Sequence, residues 1–365
     1  MNKKYILLTP GPTPIPPSVL KALSQPILHH RTHEFGSVFE FVASELKSIL
    51  HTQNSVLMMT TSGTGAMESS VVNLLCPGDK ALVLNCGVFG ERFAYIFKAY
   101  GLTPLVLNSS LGFAASPDEL DSFLKKNSDI KAVYIQHTDT STGILNDLAA
   151  LSRVIRQRAP GALIIVDAVS SLGAEEMNMD AWGLDVVVTA SQKGLMNAPG
   201  LAFAAVSPRA WKACEEAKLP RFYLDWRTMR NSLKDKETPY TPAVPLVVAQ
   251  AEALRLIKEE GLSQVLKRTA DMAAYARAWA KEMGLKTLAH NPAHILTAVY
   301  LPSGIDGNEL VNSLREEEGI SIAGGQEALK GKIIRIAHMG YISQEDLTTG
   351  LKALQKRLSP VLEKK

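Results

Sequence analysis

A series of short apolar runs, separated by longer helical stretches, constrains the fold of this chain more than any other feature. The runs are SVLMMT at 55–60, KALVL at 80–84, TPLVL at 103–107, KAVYI at 131–135, ALIIV at 162–166, DVVVT at 185–189 and LAFAAV at 201–206. Most are apolar throughout, which is typical of strands that are covered on both faces, as in parallel sheets. Helix-length segments such as 65–75 and 147–157 lie between several of them. The alternation predicts a doubly wound α/β domain with a mostly parallel sheet.

The pattern changes in the second half of the chain. Residues 225–245 are rich in charge and proline and show no helical or strand period, whereas 246–283 predict a long helix broken near Gly261. The remainder predicts a small α+β domain, with strands at 295–301 and 332–336 and helices at 308–318 and 344–358. We therefore expect an N-terminal arm over 1–20, a large domain over 21–260 and a small C-terminal domain over 261–365.

Composition excludes several classes of protein. Hydrophobic residues make up 46% and charged residues 21% of the 365 residues, which is an ordinary globular balance and argues against disorder. The net charge of +3, with no lysine or arginine run, gives no reason to expect nucleic-acid binding. No apolar stretch approaches the length of a membrane span or a signal peptide, so we expect a cytoplasmic protein without membrane partners.

Cysteine and histidine provide no metal pattern. The three cysteines, Cys76, Cys86 and Cys214, are too widely spaced for a zinc site or a disulfide framework. The histidines at 29, 30 and 33 have no acidic or cysteine partner at ligand spacing. We expect no metal site.

Three polar sites follow predicted strands. Ser62-Gly63-Thr64-Gly65 opens a predicted helix, where free N–H groups and the helix dipole bind anions, although a plain helix cap is the alternative. No Gly-Lys-Ser/Thr follows it, so the phosphate should belong to a cofactor smaller than a nucleotide. Asp167 ends one strand and Lys193 follows the next, at the edge where α/β sheets bind ligands. The alternatives are a helix cap for Asp167 and an exposed loop lysine for Lys193.

The combination matches the needs of pyridoxal phosphate. A lysine bonds covalently to the aldehyde of this cofactor, and a carboxylate keeps its pyridine nitrogen protonated so that the ring accepts electrons. Phe89, just past the strand KALVL, supplies a flat side chain that stacks on the ring or, alternatively, packs in the core.

Nine motifs in order resemble those of the class V aminotransferases of fold type I. They are LTPGPTPIP, HHRTHEF, TSGTGAME, NCGVFGERF, HTDTSTG, VDAVSSLG, SQKGLMNAPGLAF, TPYTPAV and IIRIAHMG. Within that family the motifs are most similar to the alanine–glyoxylate and serine–pyruvate aminotransferase group, which also includes proteins named small subunits of a soluble hydrogenase. The resemblance implies a large domain with a mostly parallel sheet flanked by helices, a small C-terminal domain, and pyridoxal phosphate as cofactor.

The resemblance also implies roles for individual residues around the cofactor. Lys193 matches the lysine that carries the cofactor and acts in catalysis, Asp167 matches the partner of the ring nitrogen, and Val169 matches a residue packed under the ring. Phe89 stands where relatives often have tryptophan, and Thr140 matches a hydroxyl at the ring's edge. The residues that match phosphate ligands are Thr64, Gly65, Ala66 and Gln192.

The resemblance also assigns residues to a loop from the second subunit and to the binding of the substrate carboxylate. In the family a loop of the second subunit reaches the phosphate, and Thr238 and Thr241 match that loop, so we expect a homodimer with shared active sites. Arg335 matches the arginine that binds the substrate carboxylate, and Gly11 borders it. A guanidinium in the apolar strand KIIRI is costly without a partner, and a bidentate carboxylate would supply one. The alternative is a structural ion pair.

The expected function is transamination between alanine or serine and glyoxylate or pyruvate. No second arginine lies in a recognised motif to bind a distal carboxylate, so we expect small monocarboxylate substrates. The alternatives are 2-aminoethylphosphonate–pyruvate transaminase, a non-catalytic subunit of a redox (hydrogenase) complex, and cysteine desulfurase. The desulfurase needs a nucleophilic cysteine in a C-terminal loop, whereas the cysteines here end at Cys214.

Overall fold

A seven-stranded sheet forms the centre of the structure, a computed structural model that describes residues 5–362. The strands of the chain are β1 (Ile6–Leu7), β2 (Ser55–Met59), β3 (Ala81–Asn85), β4 (Leu105–Asn108), β5 (Ala132–Gln136), β6 (Thr138–Asp139), β7 (Ile144–Leu145), β8 (Leu163–Asp167), β9 (Val186–Ala190), β10 (Ala202–Val206), β11 (Leu296–Tyr300), β12 (Ile320–Ser321), β13 (Ala323–Gly324) and β14 (Ile333–Ala337). The central sheet has the order β2-β10-β9-β8-β5-β3-β4. Each of its strands begins within two residues of the start of an apolar run that was predicted to be a strand.

The sheet is parallel except at β10, which is antiparallel to both β2 and β9. In the register of β5 and β8, Gln136 lies opposite Asp167. Parallel strands therefore bring the ends of β5, β8 and β9 to one edge, where ligands bind in α/β sheets.

Helices cover both faces of the sheet, which explains why its strands are apolar throughout. The helices are α1 (Pro17–Leu23), α2 (His33–Leu50), α3 (Gly63–Val72), α4 (Val88–Ala99), α5 (Pro117–Lys126), α6 (Leu148–Arg158), α7 (Pro208–Glu216), α8 (Trp226–Ser232), α9 (Val244–Glu260), α10 (Leu262–Glu282), α11 (Gly307–Ser313) and α12 (Gln344–Leu362). Apolar residues of α2, α5, α6 and α9 pack on one face, and those of α3, α4, α7 and α8 pack on the other. The predicted α/β class with a mostly parallel sheet is confirmed.

A second, smaller sheet lies in the C-terminal part, where β14 is antiparallel to β11 and β13. Its core also includes residues of α10, α12 and the N-terminal segment, because β1 pairs in parallel with β12 and Leu8 is fully buried. Gly261, at a φ of 85°, separates α9 from α10. This break supports the boundary near residue 260, which stays a proposal.

The prediction that 225–245 lacks helical structure is wrong over Trp226–Ser232. The Asp225 side chain accepts a hydrogen bond from the backbone N–H of Arg227 and caps α8. Trp226 is fully buried and anchors this helix on the sheet. One deeply buried aromatic residue and a helix cap are enough to stabilise this short helix, although the sequence of the segment shows no helical period of apolar residues.

Within residues 5–362, no helix is both long enough and apolar enough to cross a bilayer.

Candidate active site

A cavity of about 260 Å³ lies at the carboxyl edge of the sheet. It brings together residues from the N-terminal segment and from the loops after β2, β3, β5, β8 and β9. Of the residues predicted from the sequence, those that line it are Gly11, Thr64, Phe89, Asp167, Val169, Gln192 and Lys193.

The start of α3 forms one wall of the cavity. Ser62 precedes the helix in an extended conformation, and its side chain does not cap it. Within residues 5–362, the backbone N–H groups of Gly63 and Thr64 have no protein acceptor. A Cβ on Gly63 would lie 2.8 Å from a methyl carbon of Val169, so this side of the helix start has no room for a side chain. Free N–H groups at the positive end of a helix are suited to bind a phosphate.

Lys193 provides the amine of the site. Its Nζ donates a hydrogen bond to the carbonyl oxygen of Pro10. Burial, opposed by the charge of Asp167 and assisted by the charges of Arg335 and Arg92, lowers the pKa of Lys193 to about 8. A lysine with a pKa near 8 is partly neutral at physiological pH, which makes it a nucleophile and a proton acceptor.

Asp167 provides the carboxylate. It is only 5% exposed, and burial raises its pKa to about 6. The backbone N–H of Val169 donates to its Oδ1 at 2.8 Å, which fixes the carboxyl group at the end of β8. Asp167 forms no ion pair with another described residue, and a buried carboxylate of this kind is suited to a positively charged ring nitrogen.

Phe89 is held in the cavity wall by Asp139, which the sequence analysis did not single out. The Asp139 carboxylate accepts from the N–H groups of Phe89 at 3.0 Å and Gly90 at 3.3 Å, and it also accepts from the Ser141 hydroxyl at 2.5 Å. It is fully buried and, from outside the helix, accepts hydrogen bonds from N–H groups in the first turn of α4. Asp139 therefore fixes the backbone of α4 at Phe89.

Arg335 lies on β14 and is only 6% exposed. Its Nε donates to the carbonyl oxygen of Gly324 at 2.8 Å, and its Nη1 donates to the carbonyl oxygen of Thr140 at 2.7 Å and to Gln326 Oε1 at 3.3 Å. Burial lowers its pKa to about 10. Among the residues that the structure describes, no carboxylate forms an ion pair with it. A buried guanidinium that has only neutral partners is suited to bind an anion from outside the protein.

One expected cofactor residue, Thr140, is not among the described residues that line the cavity. Thr140 is buried, but the lining of the cavity over the described residues includes Thr138 rather than Thr140. Among the described residues, neither the buried Thr138 hydroxyl nor the buried Gln192 Oε1 has a hydrogen-bond partner. These two orphaned polar atoms fit a polar ligand that completes the site.

The loop residues Thr238 and Thr241 lie away from this cavity, beside β2. Thr238 donates to the carbonyl oxygen of Tyr240 at 2.7 Å, which stabilises the turn of its own loop. Thr241 is exposed and lies 3.5 Å from a ring nitrogen of His30. Of the remaining expected phosphate ligands, Ala66 is fully buried, and Gly65 lies against Thr61.

Arg92 also lines the cavity and was missed from the sequence. Its Nη1 donates to Thr64 Oγ1 at 3.0 Å, and its guanidinium carbon lies 4.5 Å from the centre of the Phe89 ring. It follows Phe89 by three positions on α4, which places both on one face of the helix. That spacing is the signal that could have found it.

The whole arrangement fits pyridoxal phosphate. The helix start can hold a phosphate, Phe89 and Val169 can enclose a flat ring, and Asp167 and Lys193 can bind its nitrogen and its aldehyde. Comparison with protein families decides the assignment, since the family model described as Aminotransferase class-V matches residues 5–349. The chain belongs to the class V aminotransferases. The predicted family and enzyme class are confirmed, and members of this family depend on pyridoxal phosphate.

Individual relatives of this class V aminotransferase have different names. It is 40% identical to the "Soluble hydrogenase 42 kDa subunit" of Anabaena cylindrica, over 97% of this chain and 93% of that protein. It is 34% identical to the L-aspartate–glyoxylate aminotransferase of Paracoccus denitrificans, over 96% of this chain and 90% of that protein. The crystal structure of alanine–glyoxylate aminotransferase from a Nostoc species superposes with a TM-score of 0.93 at 30% identity. The superposition covers 98% of this chain and 95% of that protein.

Proposed function

We propose that this aminotransferase uses pyridoxal phosphate to transfer the amino group of alanine or serine to glyoxylate or pyruvate. The observation that carries the proposal is the buried Arg335, whose guanidinium has neutral partners only. Amino acids and 2-oxo acids share a carboxylate that this group can bind through two parallel hydrogen bonds. The relatives named for glyoxylate, with aspartate in one case and alanine in the other, support the acceptor.

The residues of the chain divide the chemistry among them. When bound, pyridoxal phosphate supplies an electron sink for the carbanion that forms at the substrate α-carbon. Lys193 Nζ would take the proton from that α-carbon and deliver it to the carbon that was the cofactor's aldehyde, because its lowered pKa lets the amine act as base and then as acid near neutral pH. Asp167 holds the proton on the ring nitrogen, and Arg335 orients the substrate so that the α-proton faces the amine.

Small monocarboxylates fit the charges of the site better than dicarboxylates. Besides Arg335, which is not among the cavity's described lining residues, the side-chain cations available are Lys193 and Arg92 in that lining, and Arg92 is bonded to Thr64 at the expected phosphate end. A second substrate carboxylate would therefore lack a partner, which costs several kcal/mol before relaxation. Aspartate, the donor in the name of one relative, is the strongest competitor.

The homodimer is part of the same proposal. Thr241 is exposed on a loop away from its own cavity, and the exposed Phe222 side chain packs near Tyr240 of that loop. An exposed aromatic beside an exposed hydroxyl is suited to an interface between two copies of this chain. We propose that Thr241 of one subunit reaches the phosphate in the other, and that Thr238 maintains the turn that presents it.

The experiment that tests the proposed function is a donor-by-acceptor screen of the purified holoenzyme. Alanine, serine, aspartate and 2-aminoethylphosphonate are each paired with glyoxylate, pyruvate and 2-oxoglutarate. We expect the highest kcat/KM for alanine or serine with glyoxylate or pyruvate. A preference for aspartate or 2-oxoglutarate would contradict the single-carboxylate site, and activity with the phosphonate alone would favour the alternative transaminase. Absence of transaminase activity in protein that forms a stable hydrogenase complex would support the non-catalytic role.

A further inference from the structure

Arg92 combines three features that the mechanism so far does not use. It lines the cavity, its guanidinium carbon lies 4.5 Å from the centre of the Phe89 ring, and its Nη1 donates to Thr64 Oγ1 at 3.0 Å. Among residues 5–362 it forms no ion pair with an acidic side chain, unlike many surface arginines of this chain. The described residues therefore provide no ion-pair partner for its charge, although it lies close enough to Asp167 to oppose the rise that burial causes in the pKa of that carboxyl group.

The bond to Thr64 determines what the threonine hydroxyl can do. A hydroxyl has one hydrogen to donate and two lone pairs to accept with. Because the Arg92 guanidinium can only donate, it occupies a lone pair of Thr64 Oγ1 and leaves the hydroxyl hydrogen available. The Thr64 hydroxyl lies at the helix start, where the N–H groups of Gly63 and Thr64 have no acceptor among the described residues. An acceptor with several oxygens would satisfy all of these donors together.

The charge of such an acceptor must also be balanced. A phosphate ester carries close to two negative charges near neutral pH, and the donors of the α3 start are neutral groups aided by the helix dipole. Lys193 is committed to the aldehyde end of the cofactor in the proposed function. Arg92 is then the remaining side-chain cation in the described lining of the cavity.

We propose that Arg92 anchors the cofactor phosphate, by fixing the Thr64 hydroxyl as a donor and by placing a positive charge beside the phosphate. The proposal rests on the proposed function, since it takes pyridoxal phosphate as the ligand. The stacking of Arg92 on Phe89 links this anchor to the ring-stacking residue, so one side chain positions both ends of the binding site.

The test compares two ligands that differ only in the phosphate. Cofactor-free protein is titrated with pyridoxal phosphate and with pyridoxal, and the dissociation constants are measured by absorbance and fluorescence. In Arg92→Gln we expect the dissociation constant for pyridoxal phosphate to rise about 10- to 100-fold, the range for a lost charge-assisted hydrogen bond. The constant for pyridoxal should change less than about threefold, because pyridoxal has no phosphate.

Matched variants separate anchoring from folding. Arg153→Gln changes an exposed arginine on α6 and should leave both constants unchanged. Arg92→Lys keeps the charge and should recover part of the lost affinity for pyridoxal phosphate. Thr64→Val combined with Arg92→Gln should cost less than the sum of the two single effects, because both act on one contact.

The outcomes are distinguishable. If Arg92→Gln weakens both ligands equally, or neither, the phosphate role of Arg92 is wrong while the proposed function stands. If the wild-type protein binds neither ligand, the proposed function fails, and the role of Arg92 fails with it. Selective loss of pyridoxal phosphate affinity supports the anchor.

Discussion

Replacing Asp167 with asparagine should stabilise the cofactor-free protein and at the same time remove nearly all transaminase activity. The carboxyl group is 5% exposed, and burial raises its pKa from 3.8 to about 6. A raised carboxyl pKa means that the folded protein binds more protons than the unfolded chain between those two pH values. The ionised Asp167 therefore destabilises the cofactor-free fold, and this cost is fully present above about pH 6.

The magnitude follows from linkage. A rise in pKa from 3.8 to about 6 corresponds to roughly 3 kcal/mol at pH 7.5, at about 1.4 kcal/mol per tenfold change in the equilibrium constant. At pH 4.5 most of the carboxyl group is protonated in the folded protein, and the same relation gives a cost of about 1 kcal/mol. Asparagine keeps the acceptor for the Val169 N–H, so the hydrogen bond at the end of β8 persists.

The assay is urea denaturation of the cofactor-free proteins at pH 7.5 and pH 4.5, with Asp235→Asn as a control at an exposed position. We expect Asp167→Asn to gain up to about 3 kcal/mol at pH 7.5 and clearly less at pH 4.5. Addition of pyridoxal phosphate should reverse the order, since only the wild-type carboxylate pairs with the ring nitrogen. A variant that is no more stable than wild type at pH 7.5, or whose gain grows in acid, would refute the reasoning.

Three further outcomes follow from the site. Arg335→Lys should lower kcat/KM for alanine about 10- to 100-fold, because a point charge replaces the guanidinium fork; unchanged steady-state kinetics would rule out its contact with the substrate. Gly65→Ala would place a Cβ 2.0 Å from Thr61 Oγ1 and should lower the free energy of unfolding, measured by urea denaturation, by about 1–3 kcal/mol. Adding Thr61→Ala to the same chain should recover part of the lost stability. Light scattering should show a homodimer at micromolar concentration. Thr241→Ala should weaken cofactor binding without dissociating the dimer, and a fully active monomer would contradict the shared site.

The fold was predictable because its strands are buried on both faces. Such strands appear in the sequence as continuous apolar runs, and the helices between them impose parallel order on most of the sheet. The exceptions depend on long-range pairing. Nothing local to β10 shows that it runs antiparallel to its neighbours, or that β1 pairs with β12 more than 300 residues away.

The placement of Lys193, Asp167 and Thr64 was also predictable, since each follows a strand or opens a helix at the ligand-binding edge. Asp139 was not, because it binds the start of α4 from strand β6, some fifty residues further along the chain. The segment HTDTSTG offers several hydroxyls, and which of them faces the cavity depends on the turn after β6. The structure places Thr138 there, whereas family resemblance pointed to Thr140.

The central claim is that the cavity around Lys193 is the pyridoxal phosphate site of this aminotransferase. Borohydride reduction of the holoenzyme, followed by peptide mapping, tests it most directly, because reduction fixes the cofactor on the amine that carries it. We expect the visible absorption band to disappear and the label to appear on Lys193, with no label on Lys193→Ala protein that still holds the cofactor through phosphate contacts. A label on any other lysine, or no fixed cofactor at all, would contradict the account.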